Sequence, residues 1–242
     1  MLFTTSWDDG YALDRRIADL LSRYGCTGTF YVCPEAKYQE PQLSRDDIRA
    51  LSTDFEIGAH SMTHPRLTRI PLAQAEREIR ESKTWVEEIA GKPCVMFSYP
   101  KGDWNEDVRR LVTHAGFHGA RTTETLQFSS SDSYVLGTSL QVYPFPWRQS
   151  FRKPWHVLDP LGPLRVKIRP LLLLGIPLSS VGSWLSLARA LFSYAQNTEQ
   201  PFFHLWGHSR EIEKFHMWGE LEEFLQLVQN SGVQHAPNSA LV

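Results

Sequence analysis

Apolar positions recur along this chain in two alternating rhythms. Residues 2–7 read as a short strand closed by Asp8, Asp9 and Gly10. Leu13, Ile17, Leu20, Leu21 and Tyr24 then return at helical spacing, with Gly25 as the stop. Residues 27–33 are rich in β-formers, and Ser44 with Asp47 has the spacing of a capping box before a short helix. Residues 56–60 read as a strand, Pro71 opens a long charged helix to about Ala90, and the apolar run 94–99 is strand-like. Asn105 is placed to cap a helix reaching about Ala115, and 119–123 follows as a strand. Much later, 202–208 reads as a strand, and Trp218, Leu221, Phe224, Leu225 and Val228 mark a terminal helix.

This β-α alternation implies an α/β fold, with parallel strands covered by helices in an open sheet or a barrel. In both, chemistry gathers at the carboxyl ends of the strands. Asp8, Asp9, His60, Tyr99 and His208 all fall at such ends, so residues far apart in sequence are expected on one rim.

The stretch from about 138 to 198 breaks the rhythm. Pro163, Pro170 and Pro177 recur there every seventh residue, and Val181, Trp184, Leu185, Ala188, Leu191, Phe192 and Ala195 form one helical face. Between Phe151 and Ala195, Arg152, Lys153, Arg165, Lys167, Arg169 and Arg189 are set against a single acid, Asp159. The organisation expected is one catalytic domain over residues 1–242, carrying this stretch as a helical, Pro-rich insert.

Composition narrows the function classes. With 25 Lys and Arg against 27 Asp and Glu, the net charge is −2, so no overall basic field argues for nucleic acid. The 8 Trp, 8 Tyr and 13 Phe supply ample core material, which excludes global disorder. Cys26, Cys33 and Cys94 form no CxxC pair, an odd and sparse set that fits a reducing compartment. The first residues show no basic segment followed by an apolar run, and a cytoplasmic location is expected.

His60 and His64 are four residues apart, a spacing that lets two imidazoles face one ion. Neither this pair nor the Asp8-Asp9 pair is specific alone, since adjacent Asp residues are common in turns. Together at strand ends they carry more. Two neutral histidines and one carboxylate leave open positions on a Zn2+-like ion, a second carboxylate can accept a proton from water, and a protonated histidine can protonate a departing amine. Those parts make an amide or ester hydrolase.

At these residues the sequence resembles a family. Ser6-Trp7-Asp8-Asp9-Gly10 looks like the T-F-D-D-G opening of polysaccharide deacetylases, the NodB-homology group of carbohydrate esterase family 4. His60-Ser61-x-x-His64 matches its H-[ST]-x-x-H motif. The segment Phe97-Ser98-Tyr99-Pro100-Lys101-Gly102 resembles its aromatic-Pro-Tyr-Gly motif, and the strand ending at His208 sits where the family has a late strand carrying a histidine. The resemblance covers roughly residues 2–130 and 200–230. It implies a distorted (β/α) barrel with fewer than eight regular units and a single divalent metal, with Zn2+ the expected ion. It implies Asp8 as general base, Asp9, His60 and His64 as metal ligands, the Tyr99 backbone N–H as an oxyanion donor and His208 as general acid, with His204 a rival. The implied substrate is an acetylated amino sugar, here in a cytosolic polysaccharide or lipid-linked precursor.

The motifs also depart from the family. The third usually begins with an Arg that orients the catalytic Asp, whereas Met96-Phe97-Ser98 contains none. Arg121 could supply that charge from the next strand, or be a surface ion-pair residue. The fourth, an Asp-Trp pair, has no clear match. Glu211 and Glu213 read as solvated acids at a helix entry, and His114, His118, His156, His216 and His235 as packing or surface residues.

Two other readings stand beside this one. One is a metal-free amidohydrolase of cyclic amides on the same fold; the other is a non-catalytic carbohydrate-binding protein. The insert also has two readings. Its apolar face from Val181 to Ala195 either packs on the barrel, or, through residues 165–195, makes a peripheral contact with the inner face of a membrane. The second reading requires Trp184 and neighbouring leucines to be exposed near the site.

Overall fold

The computed structural model describes residues 1–35, 39–149 and 153–242. The elements run β1 (Leu2–Asp9), α1 (Asp14–Arg23), β2 (Thr29–Val32), α2 (Arg45–Leu51), β3 (Glu56–Ala59) and α3 (Leu72–Ala90). They continue with β4 (Met96–Ser98), α4 (Glu106–His114), β5 (Gly119–Arg121), β6 (Leu140–Gln141) and α5 (Gly162–Leu173). The last are α6 (Trp184–Asn197), β7 (Phe202–Gly207), α7 (Ser209–Lys214), α8 (Trp218–Asn230) and β8 (Gln234–His235). Local chemistry explains several boundaries. Ser44 and Asp47 form the reciprocal capping box of α2, Asn105 Oδ1 accepts from the Val108 N–H to start α4, and Gly91 ends α3 in the left-handed region.

Among the described residues, every strand pairing in the sheet is parallel, in the order β5-β4-β3-β2-β1-β7-β6, with β8 also pairing β1. The sheet curls into the distorted (β/α) barrel type. β1 is buried along nearly its whole length because it is central and covered on both faces. Its alternating residues divide the interior. Phe3 packs with Phe192, Phe203 and Phe224 between sheet and helices, while Thr4 and Ser6 turn to the other side and bond His204.

Two sequence expectations change. β1 extends through Asp8 and Asp9 rather than stopping before them, so both carboxylates belong to the strand. The 138–198 stretch is not wholly an excursion either: it contributes β6, paired to β7, and α6. Within that stretch, residues 142–149 and 153–183 leave the β-α rhythm. On α6, Trp184, Leu187, Ala188, Leu191, Phe192 and Ala195 are buried, so this face packs on the protein and Trp184 is not available to a membrane. Arg152, one of the basic residues singled out above, lies outside the described residues. Cys26, Cys33 and Cys94 are buried.

Candidate active site

In a regular strand, neighbouring side chains point to opposite faces, so Asp8 and Asp9 would be separated. Asp9 has φ of +82°, outside the β region, and this re-aims its carboxylate toward the carboxyl rim of the sheet. Ser61 (φ +61°), His64 (φ +58°) and Lys101 (φ +61°) adopt similar left-handed conformations in the loops after β3 and β4. Backbone strain of this kind persists where surrounding structure holds it, and four of the seven such non-glycine residues among those described lie at this rim.

The loop after β3 is tied down from α3. Glu78 Oε2 accepts from the Met62 and Thr63 N–H groups at 2.9 and 2.8 Å, and its Oε1 accepts from the Thr63 hydroxyl at 2.6 Å. Ser61 Oγ accepts from the His64 N–H at 3.0 Å. These bonds bring one donor atom each from Asp9, His60 and His64 within 4.8 Å of one another.

The donor chemistry fits a divalent cation. His60 Nδ1–H donates to the Ser98 carbonyl at 2.7 Å, so in the neutral ring Nε2 presents its lone pair toward Asp9 Oδ1, 3.6 Å away. His64 Nε2 lies 3.5 Å from the same oxygen. Burial, and then the neighbouring His60, push the His64 pKa down to about 3, which keeps that ring a neutral ligand. The Tyr11 hydroxyl donates to Asp9 Oδ2 at 2.9 Å and orients the carboxylate.

Asp8 lies on the other side of His60, with Oδ2 3.9 Å from His60 Nε2. The same oxygen accepts from the Ser98 hydroxyl at 3.1 Å, and Oδ1 is buried without a hydrogen-bond partner. Arg121 is buried, not a surface ion-pair residue. One guanidinium nitrogen donates to the Gly137 carbonyl and another, Nη1, is left unpartnered. Burial lowers the Arg121 pKa to about 10, against the opposing pull of Tyr31 and of the Asp8 carboxylate. Ser98 makes the direct bond to Asp8, and the Asp8 charge reaches the Arg121 guanidinium across space.

His208 follows β7 on the same rim, with Nε2 3.7 Å from Asp9 Oδ2 and Nδ1 donating to Glu211 at 3.0 Å. Burial alone would lower its pKa, but the bond to Glu211, with the charges of Asp9, Glu211 and Asp8, raises it to about 9. His204 differs. It is fully buried, its ring nitrogens bond Thr4 and Ser6, and burial with Arg121 nearby holds its pKa well below the usual range.

One expected role does not fit. The Tyr99 N–H donates to the Arg121 carbonyl at 3.0 Å, extending the β4–β5 ladder, so it is not free to bind an oxyanion. Glu211 is also not the solvated acid that its position at a helix entry suggested. The i, i+3 spacing of His208 and Glu211 was the available signal; nothing local marked Glu78.

Residues 2–120 match the model of the polysaccharide deacetylase family. Among curated proteins, the peptidoglycan-N-acetylmuramic acid deacetylase PdaC of Bacillus subtilis (strain 168) is 31% identical over 106 residues, covering 43% of this chain and 22% of that protein. A chitooligosaccharide deacetylase of Sinorhizobium fredii (strain NBRC 101917 / NGR234) is 27% identical over 114 residues, covering 46% and 52%. The chain thus spans from about a fifth to about half the length of these curated relatives. Among solved structures, a mutant of Bacillus subtilis PdaC aligns with TM-score 0.57 at 17% identity, over 99% of this chain and 89% of that one. A carbohydrate esterase family 4 pseudoenzyme from Bacillus anthracis aligns with TM-score 0.56 at 11% identity, over 99% and 64%. At such identities these two likenesses speak for the fold alone. The family-model match takes in Asp8, Asp9, His60 and His64, so over the residues that carry its motifs the chain is similar to the polysaccharide deacetylase family.

Proposed function

We propose that the protein is a metal-dependent hydrolase that removes an N-acetyl group from an amino sugar carried on a polysaccharide or a lipid-linked precursor. The observation that carries this reading is the convergence of Asp9, His60 and His64 between a second carboxylate, Asp8, and a histidine, His208, whose pKa its acidic neighbours raise. The fold alone would not suffice, since a structure described as a pseudoenzyme shares it.

Asp9, His60 and His64 would hold the metal, which when bound supplies the Lewis acidity that polarises an acyl carbonyl and acidifies water. Asp8 accepts the water proton on its unpartnered Oδ1, and Ser98 fixes the other oxygen. His208, charged at neutral pH and held by Glu211, donates a proton from Nε2 to the departing amine. The developing oxyanion needs a backbone donor. In the turn after β4, the N–H groups of Tyr99, Gly102 and Asp103 donate to carbonyls and Pro100 has none. We assign the donor role to the remaining group, the Lys101 N–H, beside His64, whose ring the Lys101 charge reaches.

Elemental analysis of the purified chain, with acetate release from N-acetylated sugars, tests this reading. His60→Ala and His64→Ala should each abolish stoichiometric metal. Asp8→Asn should keep the metal but lower turnover by roughly 10²–10⁴. Full metal occupancy in either histidine variant, or wild-type turnover in Asp8→Asn, would overturn it.

A further inference from the structure

β6 is parallel to β7, so the chain leaves β6 at the rim that carries His208. It returns there too, because the Trp184 indole N–H at the start of α6 donates to the Gln141 carbonyl at 2.8 Å. Both ends of the excursion that holds residues 142–149 and 153–183 therefore lie at the catalytic rim of the sheet. The inner side of this excursion is anchored by the buried Leu171 and Ile176, and Pro163 and Lys167 line a small cavity with Tyr143 and Trp184.

Its outer side is unlike the rest of the surface. Eight of the eleven large apolar residues exposed among the described residues fall between positions 155 and 178. Exposed apolar residues scattered singly are ordinary, but such a concentration marks an interaction surface. On α5, Val166 and Leu173 flank Arg169 at i, i+3, i+7 spacing, and Leu173 is 80% exposed. The turn before α5 presents Trp155 and Leu158, the latter 87% exposed. Lys153, Arg165 and Arg169 are exposed among these groups. The one acid of the stretch, Asp159, is engaged by Arg148 at 3.0 Å and Arg165 at 2.8 Å. Apolar side chains beside an excess of cations over this single acid match the acyl boundary and acidic headgroups of a bilayer. No helix among the described residues is long and apolar enough to cross a membrane.

We propose that this face docks peripherally on an anionic membrane surface and brings the catalytic rim to the lipid. Docking itself does not depend on the hydrolase reading; that the docked site meets a lipid-carried acyl sugar does rest on it. The membrane element is thus α5 and the turn before it, not the buried face of α6.

Flotation of the full chain with vesicles, in the absence of substrate, tests docking. Vesicles of phosphatidylcholine containing about a third phosphatidylglycerol should carry the protein at low salt and release it as salt rises. Arg169→Gln should weaken partitioning about fivefold, while Arg169→Lys keeps it. Leu158→Ser combined with Leu173→Ser should weaken it at least about tenfold, with an unchanged circular dichroism spectrum because both positions are exposed. No flotation at low salt, equal flotation on pure phosphatidylcholine, or variants that float like the wild type would overturn the proposal. So would a wild-type dimer in sedimentation that the double Leu→Ser variant splits, since a second copy would then cover the face. Absent turnover would leave docking intact, and absent docking would leave the hydrolase intact.

Discussion

Glu211 Oε2 accepts a 3.0 Å hydrogen bond from Nδ1 of His208, three residues earlier in the chain. The pair spans the entry to α7, so one short turn supplies both the histidine and the carboxylate that orients it. Glu211→Gln should lower kcat by about 10–100-fold with KM and metal content nearly unchanged, the scale of losing an orienting partner. His204→Ala should act differently. It leaves Thr4 and Ser6 without their buried partner and should cost about 1–3 kcal/mol of stability, read from chemical denaturation. A kcat loss at His204 larger than that at His208 would reverse the assignment of the acid.

The Ser98 hydroxyl bonds Asp8 directly, and the proposed catalysis gives the Arg121 charge a supporting part. Arg121→Met should reduce kcat by about 10–100-fold while metal stays bound, and Ser98→Ala should reduce it further in the double variant. Arg121→Lys should recover part of the loss, because the charge rather than the fork geometry reaches Asp8. Wild-type kinetics in Arg121→Met would remove Arg121 from the site.

Glu78 holds the loop that carries His60 and His64 through three hydrogen bonds. Glu78→Ala should lower the melting temperature and weaken metal affinity by about 10–100-fold, as expected when an outer partner of a ligand loop is lost. Added metal should restore much of the melting temperature, since binding stabilises the folded state by mass action. A variant with unchanged affinity would show that the loop holds its own shape.

Asp103 links the 66–68 segment to the turn after β4. Its Oδ2 accepts from the Thr68 N–H and hydroxyl, and Arg66 lies 3.5 Å from Oδ1. Burial opposes ionisation, but these bonds and the Arg66 charge outweigh it and lower the pKa. A depressed carboxylate contributes stability above its unfolded pKa of ~3.9 and loses it as pH falls through the folded value. Asp103→Asn should therefore flatten the fall in stability below about pH 4 measured by denaturant titration. An unchanged acid slope would show that Asp103 carries no part of it.

Patterns confined to a few neighbouring residues were legible in the sequence. The Ser44–Asp47 box, the Pro71 start of α3, the Asn105 cap and the Asp-Asp and H-x-x-x-H motifs depend on short spacing, which the chain displays directly. β6 was hidden because two residues inside a Pro-rich stretch have no measurable alternation. The Tyr99 N–H was assigned to the wrong acceptor because its true partner, the Arg121 carbonyl, lies on the neighbouring strand. Glu78 and the Ser98–Asp8 bond were invisible for the same reason: each depends on how separate elements pack, which no local period records.

The strand order has a consequence for synthesis. β7 lies between β1 and β6, although it is among the last strands to leave the ribosome. Until residues 202–207 emerge, β1 is an edge with unpaired backbone groups, and Phe3 lacks the stacked ring of Phe203. The candidate metal ligands are all encoded before residue 65, so they can assemble early, while His208 arrives only with the strand that closes that edge. A nascent chain would thus gather its cation-binding side chains well before it could donate a proton, and its most aggregation-prone interval would end at the moment the acid arrives.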